Sequence, residues 1–273
     1  MSINKATKLF LAGSILYSAS TPAWALDGTF SADYASAFVT DDPIMTFGLM
    51  IQQELHYGLK LSGAQSVNRN LVVDDSRKEW ELNDSVVALI HKYDQSESVS
   101  LSTRLSTTLP ISTKSKYDEL RTRTELKLSA IVKLPADFTS TTTASYAQYW
   151  HKYDASRLEG QTAGGVSLPN YSYSLSQTIE YSLAEQVNLG ASGSYRLRRW
   201  HNLEKTEGYI ASENRLESYS YTVGAFTTYL YSDRTSLTVS YDQGSGLERP
   251  GYDDFVVYDS EQSTWTVSLL QLW

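Results

Sequence analysis

Apolar and polar residues alternate along much of this chain with a period of two. From Leu120 to Val132 the even positions are Leu120, Thr122, Thr124, Leu126, Leu128, Ala130 and Val132. Between them stand Arg121, Arg123, Glu125, Lys127 and Ser129. Successive side chains of a strand point to opposite faces, so this pattern predicts a strand with one apolar and one charged face. Consecutive charges on one face make a poor protein core. A water-filled or salt-bridged interior accepts them. From Tyr171 to Leu183 the same alternation sets Tyr171, Tyr173, Leu175, Ile179, Tyr181 and Leu183 against Ser172, Ser174, Ser176, Thr178, Glu180 and Ser182. Its aromatics lie towards the ends and its aliphatics in the middle, the distribution expected where a strand crosses a lipid bilayer.

Turn residues between such segments predict an up-and-down path. The strands run from about Gly28 to Phe38, Met45 to Leu55, Tyr57 to Val67, Leu82 to Tyr93, Ser98 to Leu109, and then from Leu120. They continue from Phe138 to Trp150, Tyr171 to Leu183, Gln186 to Arg198, Leu216 to Tyr231, Ser236 to Tyr241, and a closing segment from Ser263 to Trp273. The stretch from Leu82 to Tyr93 is the least cleanly patterned. Long connections alternate with short ones, and both ends of the path fall on the short-turn side, which requires an even number of strands. About ten residues per strand suits a tilted span of an outer membrane. The expectation is an all-β, antiparallel up-and-down transmembrane barrel of about twelve strands in one domain, residues 26–273.

Composition fits this picture. The 273 residues include no Cys, 20 Tyr and 6 Trp, and no later segment is apolar for long enough to be a helical span. The mean hydropathy of −0.34 is unremarkable for a barrel, because every second strand residue faces inward and can be polar. Residues 1–25 read as a cleaved secretory signal peptide: Lys5 and Lys8, a short apolar run from Leu9 to Tyr17, and Ala23-Trp24-Ala25 as the small-x-small cleavage site. The last segment, STWTVSLLQLW, places Trp265, Val267, Leu269 and Trp273 on one face and Thr264, Thr266 and Ser268 on the other. It resembles the C-terminal assembly signal of bacterial outer-membrane β-barrel proteins, with Trp in place of the usual Phe and Gln271 at a position normally apolar. The resemblance implies a Gram-negative outer-membrane location, with membrane lipid, lipopolysaccharide and the barrel assembly machinery as partners. Trp265, Val267, Leu269 and Trp273 would then serve membrane assembly and closure.

The formal net charge is −8, and the acidic residues gather in loops, notably the last one. The inward positions are slightly basic: Lys60, Arg104, Arg121, Arg123, Lys127, Arg196 and Arg198 against Asp33, Glu54, Glu125, Glu180 and Asp242. Two readings stay open. These charges either form cross-strand salt bridges that fill a narrow lumen, or line a track that attracts anions. Narrow channels for acidic oligosaccharides share the strand number and the inward Arg, a likeness of architecture only. Hydrolytic sites of outer-membrane enzymes are not matched: no His is followed two residues later by Ser, and Asp74-Asp75 and Asp253-Asp254 have no His-Asp partner. The tetrapeptide His91-Lys92-Tyr93-Asp94 recurs at His151, at the other end of the predicted barrel. The sequence therefore predicts a monomeric, non-enzymatic barrel without cofactor, metal or nucleic-acid partner. It would be a narrow porin-like channel for small solutes, anions among them, or a structural barrel; an outer-membrane hydrolase and a surface adhesin are the alternatives.

Overall fold

In the computed structural model, residues 26–37, 43–55, 58–72, 79–94, 96–153, 167–201, 217–247 and 263–273 are described. The segment read as a signal peptide lies outside them. The first five strands are β1 (Leu26–Ala37), β2 (Ile44–Glu54), β3 (Leu59–Asn70), β4 (Trp80–Leu82) and β5 (Ser85–Asp94). They are followed by β6 (Val99–Leu109), a one-turn helix α1 (Thr113–Tyr117), β7 (Leu120–Leu134), β8 (Phe138–His151) and β9 (Pro169–Ala184). The chain ends with β10 (Val187–Trp200), β11 (Glu217–Ser232), β12 (Thr235–Leu247) and β13 (Ser263–Leu272).

Every pairing is antiparallel, β3 pairs with both β4 and β5, the other pairs join neighbours along the chain, and β1 also pairs with β13, so the sheet closes on itself. Twelve strands form the ring and the short β4 sits on the upper end of β3. At the seam, Ser36 faces Trp265, Tyr34 faces Val267 and Ala32 faces Leu269. Gly28 and Trp273 then exchange backbone hydrogen bonds of 3.1 and 3.0 Å. The indole of Trp273 lies over Gly28, where a Cβ would fall 2.1 Å from the ring. The absence of a side chain at Gly28 makes room for the terminal aromatic.

The outer face follows the alternation read from the sequence. Leu126, Leu128, Leu175, Ile179 and Val223 form an exposed aliphatic belt. Aromatic pairs flank it. Phe138–Tyr181 at 4.8 Å and Tyr229–Tyr231 at 5.0 Å lie towards the short turns, and Tyr146–Tyr173 at 5.0 Å and Tyr195–Tyr219 at 6.2 Å towards the long loops. Gln177 interrupts the belt, but its amide bonds to Ser140 Oγ at 2.7 Å and to Thr142 Oγ1 on the neighbouring strand. Internal pairing of this kind lowers the cost of a polar group facing hydrocarbon.

Three local features differ from the simple alternation. The predicted strand beginning at Leu82 is split: β4 pairs with Asn68 and Arg69, and β5 starts at Ser85. Asn83 supplies the break, because its Nδ2 bonds to Ser66 Oγ at 2.9 Å and Asn68 Oδ1 at 2.8 Å, while Gln65 Nε2 bonds to its carbonyl at 2.7 Å. Short amide side chains compete with the ladder in this way. The loop around Lys114 contains α1, capped by Ser112, whose Oγ accepts from Ser115 N at 3.1 Å. Between Leu120 and Thr122 a bulge shifts the β7–β8 register.

β5 resisted a clean reading because both of its faces are apolar. Val87 and Leu89 share the outer face with Leu61 and Leu105, and Val86, Ala88 and Ile90 share the inner one with Ser62 and Arg104. Ala88 and Ser62 are each only 2% exposed. With Met50, Ala64 and Leu270, Val86 lines a small cavity of about 300 Å3 against this wall. Leu270, which interrupts the polar face of the last strand in sequence, lines the same cavity, while Leu272 stands opposite Thr29 of β1.

Candidate functional site: a basic wall and a vestibule in the lumen

The inner face of β6 to β10 is hydrophilic. Hydroxyls link neighbouring strands, Ser129 with Thr143 at 2.9 Å and Ser145 with Ser174 at 2.6 Å. Among them, Glu125 bridges its own strand neighbours, with Arg123 at 3.2 Å and Lys127 at 3.5 Å. Inward charges two residues apart on one strand lie side by side, so one carboxylate serves two cations. Arg104 pairs in register with Lys127, an unfavourable cation–cation neighbour, and its Nε is buried with no hydrogen-bond partner among the described residues. Arg196 and Arg198 share the inner face of β10 with Ser192 and Ser194, and Glu180 faces Gly190 across β9 and β10. These strands carry six inward cations, Arg104, Arg123, Lys127, Lys133, Arg196 and Arg198, against the carboxylates of Glu125 and Glu180. At the short-turn end Lys60 is compensated, lying 3.8 Å from Asp27 and 3.9 Å from Glu54.

Alternation alone sets Arg121 beside Arg123. The bulge breaks that parity: Leu120 lines the interior cavity described next, while Arg121 is exposed and lies outside its lining. A bulge places two residues opposite one, so the residue before it changes face without any sign in the local pattern.

Towards the long loops the lumen widens into a cavity of about 1010 Å3. One wall is basic and aromatic. The Arg123 guanidinium lies 5.3 Å from the Tyr149 ring centre, and that of Arg198 5.6 Å from Trp200. His151 stands between them, its ring 6.3 Å from Tyr149 and 6.4 Å from His201. Its Nδ1 lies 3.1 Å from the Asp118 carbonyl oxygen. A carbonyl only accepts, so Nδ1 carries a proton in this contact. Leu168 anchors the rim of this wall, being 5% exposed, with its carbonyl accepting from His201 N at 2.9 Å.

The lining continues through the loop carrying α1, with Asp118 beside His151, to β3 and the β4–β5 break, where it includes Asn68, Glu81, Asn83 and Asp84. Asp84 accepts from Ser112 N at 2.8 Å and from Ser115 Oγ, latching α1 to the β4–β5 break. Burial pushes the Asp84 carboxyl up, but the hydrogen bonds from Ser115, Ser112 and Ile111 together outweigh it and hold the group below its ordinary value. Asp118 is paired with Lys114 at 2.9 Å.

Tyr149, His151 and Trp200 carry no motif in sequence. The available signal was parity: Tyr149 and His151 continue the inward set of β8, and Trp200 that of β10. His91, by contrast, stacks edge-on against Tyr93 at 4.2 Å at the opposite end of the barrel. Among the described residues no cluster of three His, Asp or Glu side chains is placed to hold a metal ion. Asp74-Asp75 and Asp253-Asp254 lie outside the described residues.

A closed antiparallel ring with an aliphatic belt between aromatic girdles and a polar interior defines a transmembrane β-barrel of the bacterial outer-membrane kind. Solved structures agree on this fold. An outer-membrane channel from Pseudomonas putida F1 superposes with a TM-score of 0.59 at 11% identity, covering 93% of this chain and 97% of that one. The NanC porin gives 0.52 at 12% identity, with 91% and 98% covered. The KdgM porin, solved in complex with disordered oligogalacturonate, gives 0.50 at 11% identity, with 89% and 98% covered. No protein-family model matches the sequence, and no curated protein matches it by sequence.

Proposed function

We propose that the protein is a narrow channel of the outer membrane, porin-like in action, exported by a signal peptide at residues 1–25, and that its lumen favours small anions. The observation that carries this reading is the net basic inner wall of β6 to β10, ending at a cavity of about 1010 Å3. A soluble core would not tolerate such a surface, and a confined bore between low-dielectric walls strengthens its field. Arg104, Arg123, Lys127, Arg196 and Arg198 line the path in this proposal, with Glu125 and Glu180 moderating the charge and Lys60 held at the exit. Trp265, Val267, Leu269 and Trp273 serve closure and recognition by the assembly machinery. The similarity in fold to porins supports the reading without naming a solute.

Planar-bilayer recording of the folded barrel tests it. The expected result is a small single-channel conductance with chloride preferred over potassium, shifted towards potassium in Arg104→Gln and Arg196→Gln. No current at any salt concentration would overturn the channel and leave a structural barrel.

A further inference from the structure

Most aromatic side chains of the described strands belong to the outer face, where Tyr146, Tyr173, Tyr195 and Trp265 are exposed in the girdle. Tyr149 and Trp200 depart from that rule by turning into the lumen, and both line the vestibule. Each carries a guanidinium over its ring, Arg123 at 5.3 Å from the Tyr149 centre and Arg198 at 5.6 Å from that of Trp200. Aromatic surface inside a water-filled bore is stabilised when an apolar body covers it.

The two pairs belong to one strip of wall. The rings of Tyr149 and His151 lie 6.3 Å apart with their planes 7° from parallel. His151 stands edge-on to His201 at 6.4 Å, and His201 N donates to the Leu168 carbonyl at 2.9 Å. Pro169, the next residue, is in register with Trp200, whose Nε1 donates to Ser218 Oγ at 3.2 Å and so fixes the indole. The strip therefore crosses adjacent strands, β7 to β10. Apolar side chains flank its rings, since Leu120 is in register with His151 and Pro169 with Trp200, and both line the cavity.

The two cations are not equivalent. Arg123 is already held by Glu125 at 3.2 Å. Arg198 has Ser172 and Ser218 as its register neighbours and no acidic partner among the described residues. A guanidinium that stacks through its face keeps its N–H edge for a planar carboxylate. A carboxylate taken up at Arg198 sets the rest of its molecule beside Trp200 and Pro169. Hydroxyl groups placed there would give up water without a replacement partner, whereas a flat apolar body has none to lose. We propose that this strip is a binding site for an aromatic carboxylate, its anionic group held by Arg198 and its ring laid against Trp200. The inference names a solute class for the channel reading and rests on it for delivery through the bore, but binding itself does not require conduction.

Isothermal titration of the full barrel in detergent tests the site directly, with benzoate, glucuronate and benzyl alcohol as probes. Benzoate is expected to bind at least about tenfold tighter than either, because each of the others lacks one half of the recognition. Arg198→Gln and Trp200→Leu are each expected to weaken benzoate by about five- to tenfold, while Arg121→Gln binds as the parent does. Heat-shifted gel mobility checks that each variant is folded, and the comparison of probes on the unmodified protein needs no variant. Glucuronate binding as tightly as benzoate would overturn the aromatic body, and benzyl alcohol doing so would overturn the anion. Indifference of benzoate to Arg198→Gln or Trp200→Leu, or no binding of benzoate at all, would overturn the site. A barrel that conducts but binds no benzoate refutes the site and spares the channel; one that binds it but does not conduct does the reverse.

Discussion

The two sides of this lumen are built on different rules. On β6 to β10 the inner face is a wet wall of hydroxyls and guanidiniums, held by bonds such as Ser145–Ser174 and by the Arg123–Glu125–Lys127 cluster. On β5 the inner face is apolar, with Val86, Ala88 and Ile90, and Met50, Ala64 and Leu270 of β2, β3 and β13 adjoin it among polar neighbours such as Ser62 and Ser66. The outer faces of both sides meet the same lipid and look alike. The difference shows that a barrel interior is not one environment.

This contrast can be broken most severely at Ala88. Its 2% exposure leaves no space or water for a charge, so Ala88→Arg is expected to destabilise the barrel by at least about 3 kcal/mol, the cost of an unpaired buried ion. Loss of the heat-shifted gel band at lower temperature reads that effect. The same change at Ser129 or Thr143, on the wet wall, is expected to leave stability nearly intact.

A smaller effect is expected where the wet wall meets a ring. Phe226 lies over Gly190, and a Cβ there would fall 2.1 Å from the ring. Gly190→Ala must displace Phe226, at a cost of about 1–3 kcal/mol, readable in urea unfolding. Glu125→Gln acts on charge instead of packing. It removes the carboxylate shared by Arg123 and Lys127, so chloride preference in bilayers should rise while the unfolding midpoint moves little.

The α1 latch gives a milder, pH-dependent outcome. The folded-state value of Asp84 lies below the ordinary carboxylate value of about 3.9, so its contribution is present above that value. It is lost as pH falls through the depressed folded value. The loop should therefore stay latched from neutral pH down to about pH 4 and loosen only below it. Asp84→Asn should loosen it at neutral pH, seen as faster tryptic cleavage at Lys114 and Lys116. The smallest effect belongs to Arg121. Exposed at the bulge and outside the cavity lining, its replacement by Gln should change stability by less than about 0.5 kcal/mol and leave ion preference unmoved.

The chain by itself determined the number of membrane strands, their faces and the closure of the ring. Alternation with period two is a local property, written into runs such as Leu120–Val132 and Tyr171–Leu183, and each hairpin carries its own turn residues. The belt, the girdles and the inward position of Arg104, Arg123, Lys127, Arg196 and Arg198 all follow from parity within one strand. Only the tertiary structure decided what breaks that parity. The Asn83 side chain cut β4 from β5 by bonding to β3, and the bulge moved Arg121 out of the set and Leu120 into it. Closure of the ring brought Arg123, His151 and Trp200 from three separate strands around one cavity. Such groupings depend on cross-strand register and on curvature, and a pattern read along a single strand carries no information about either.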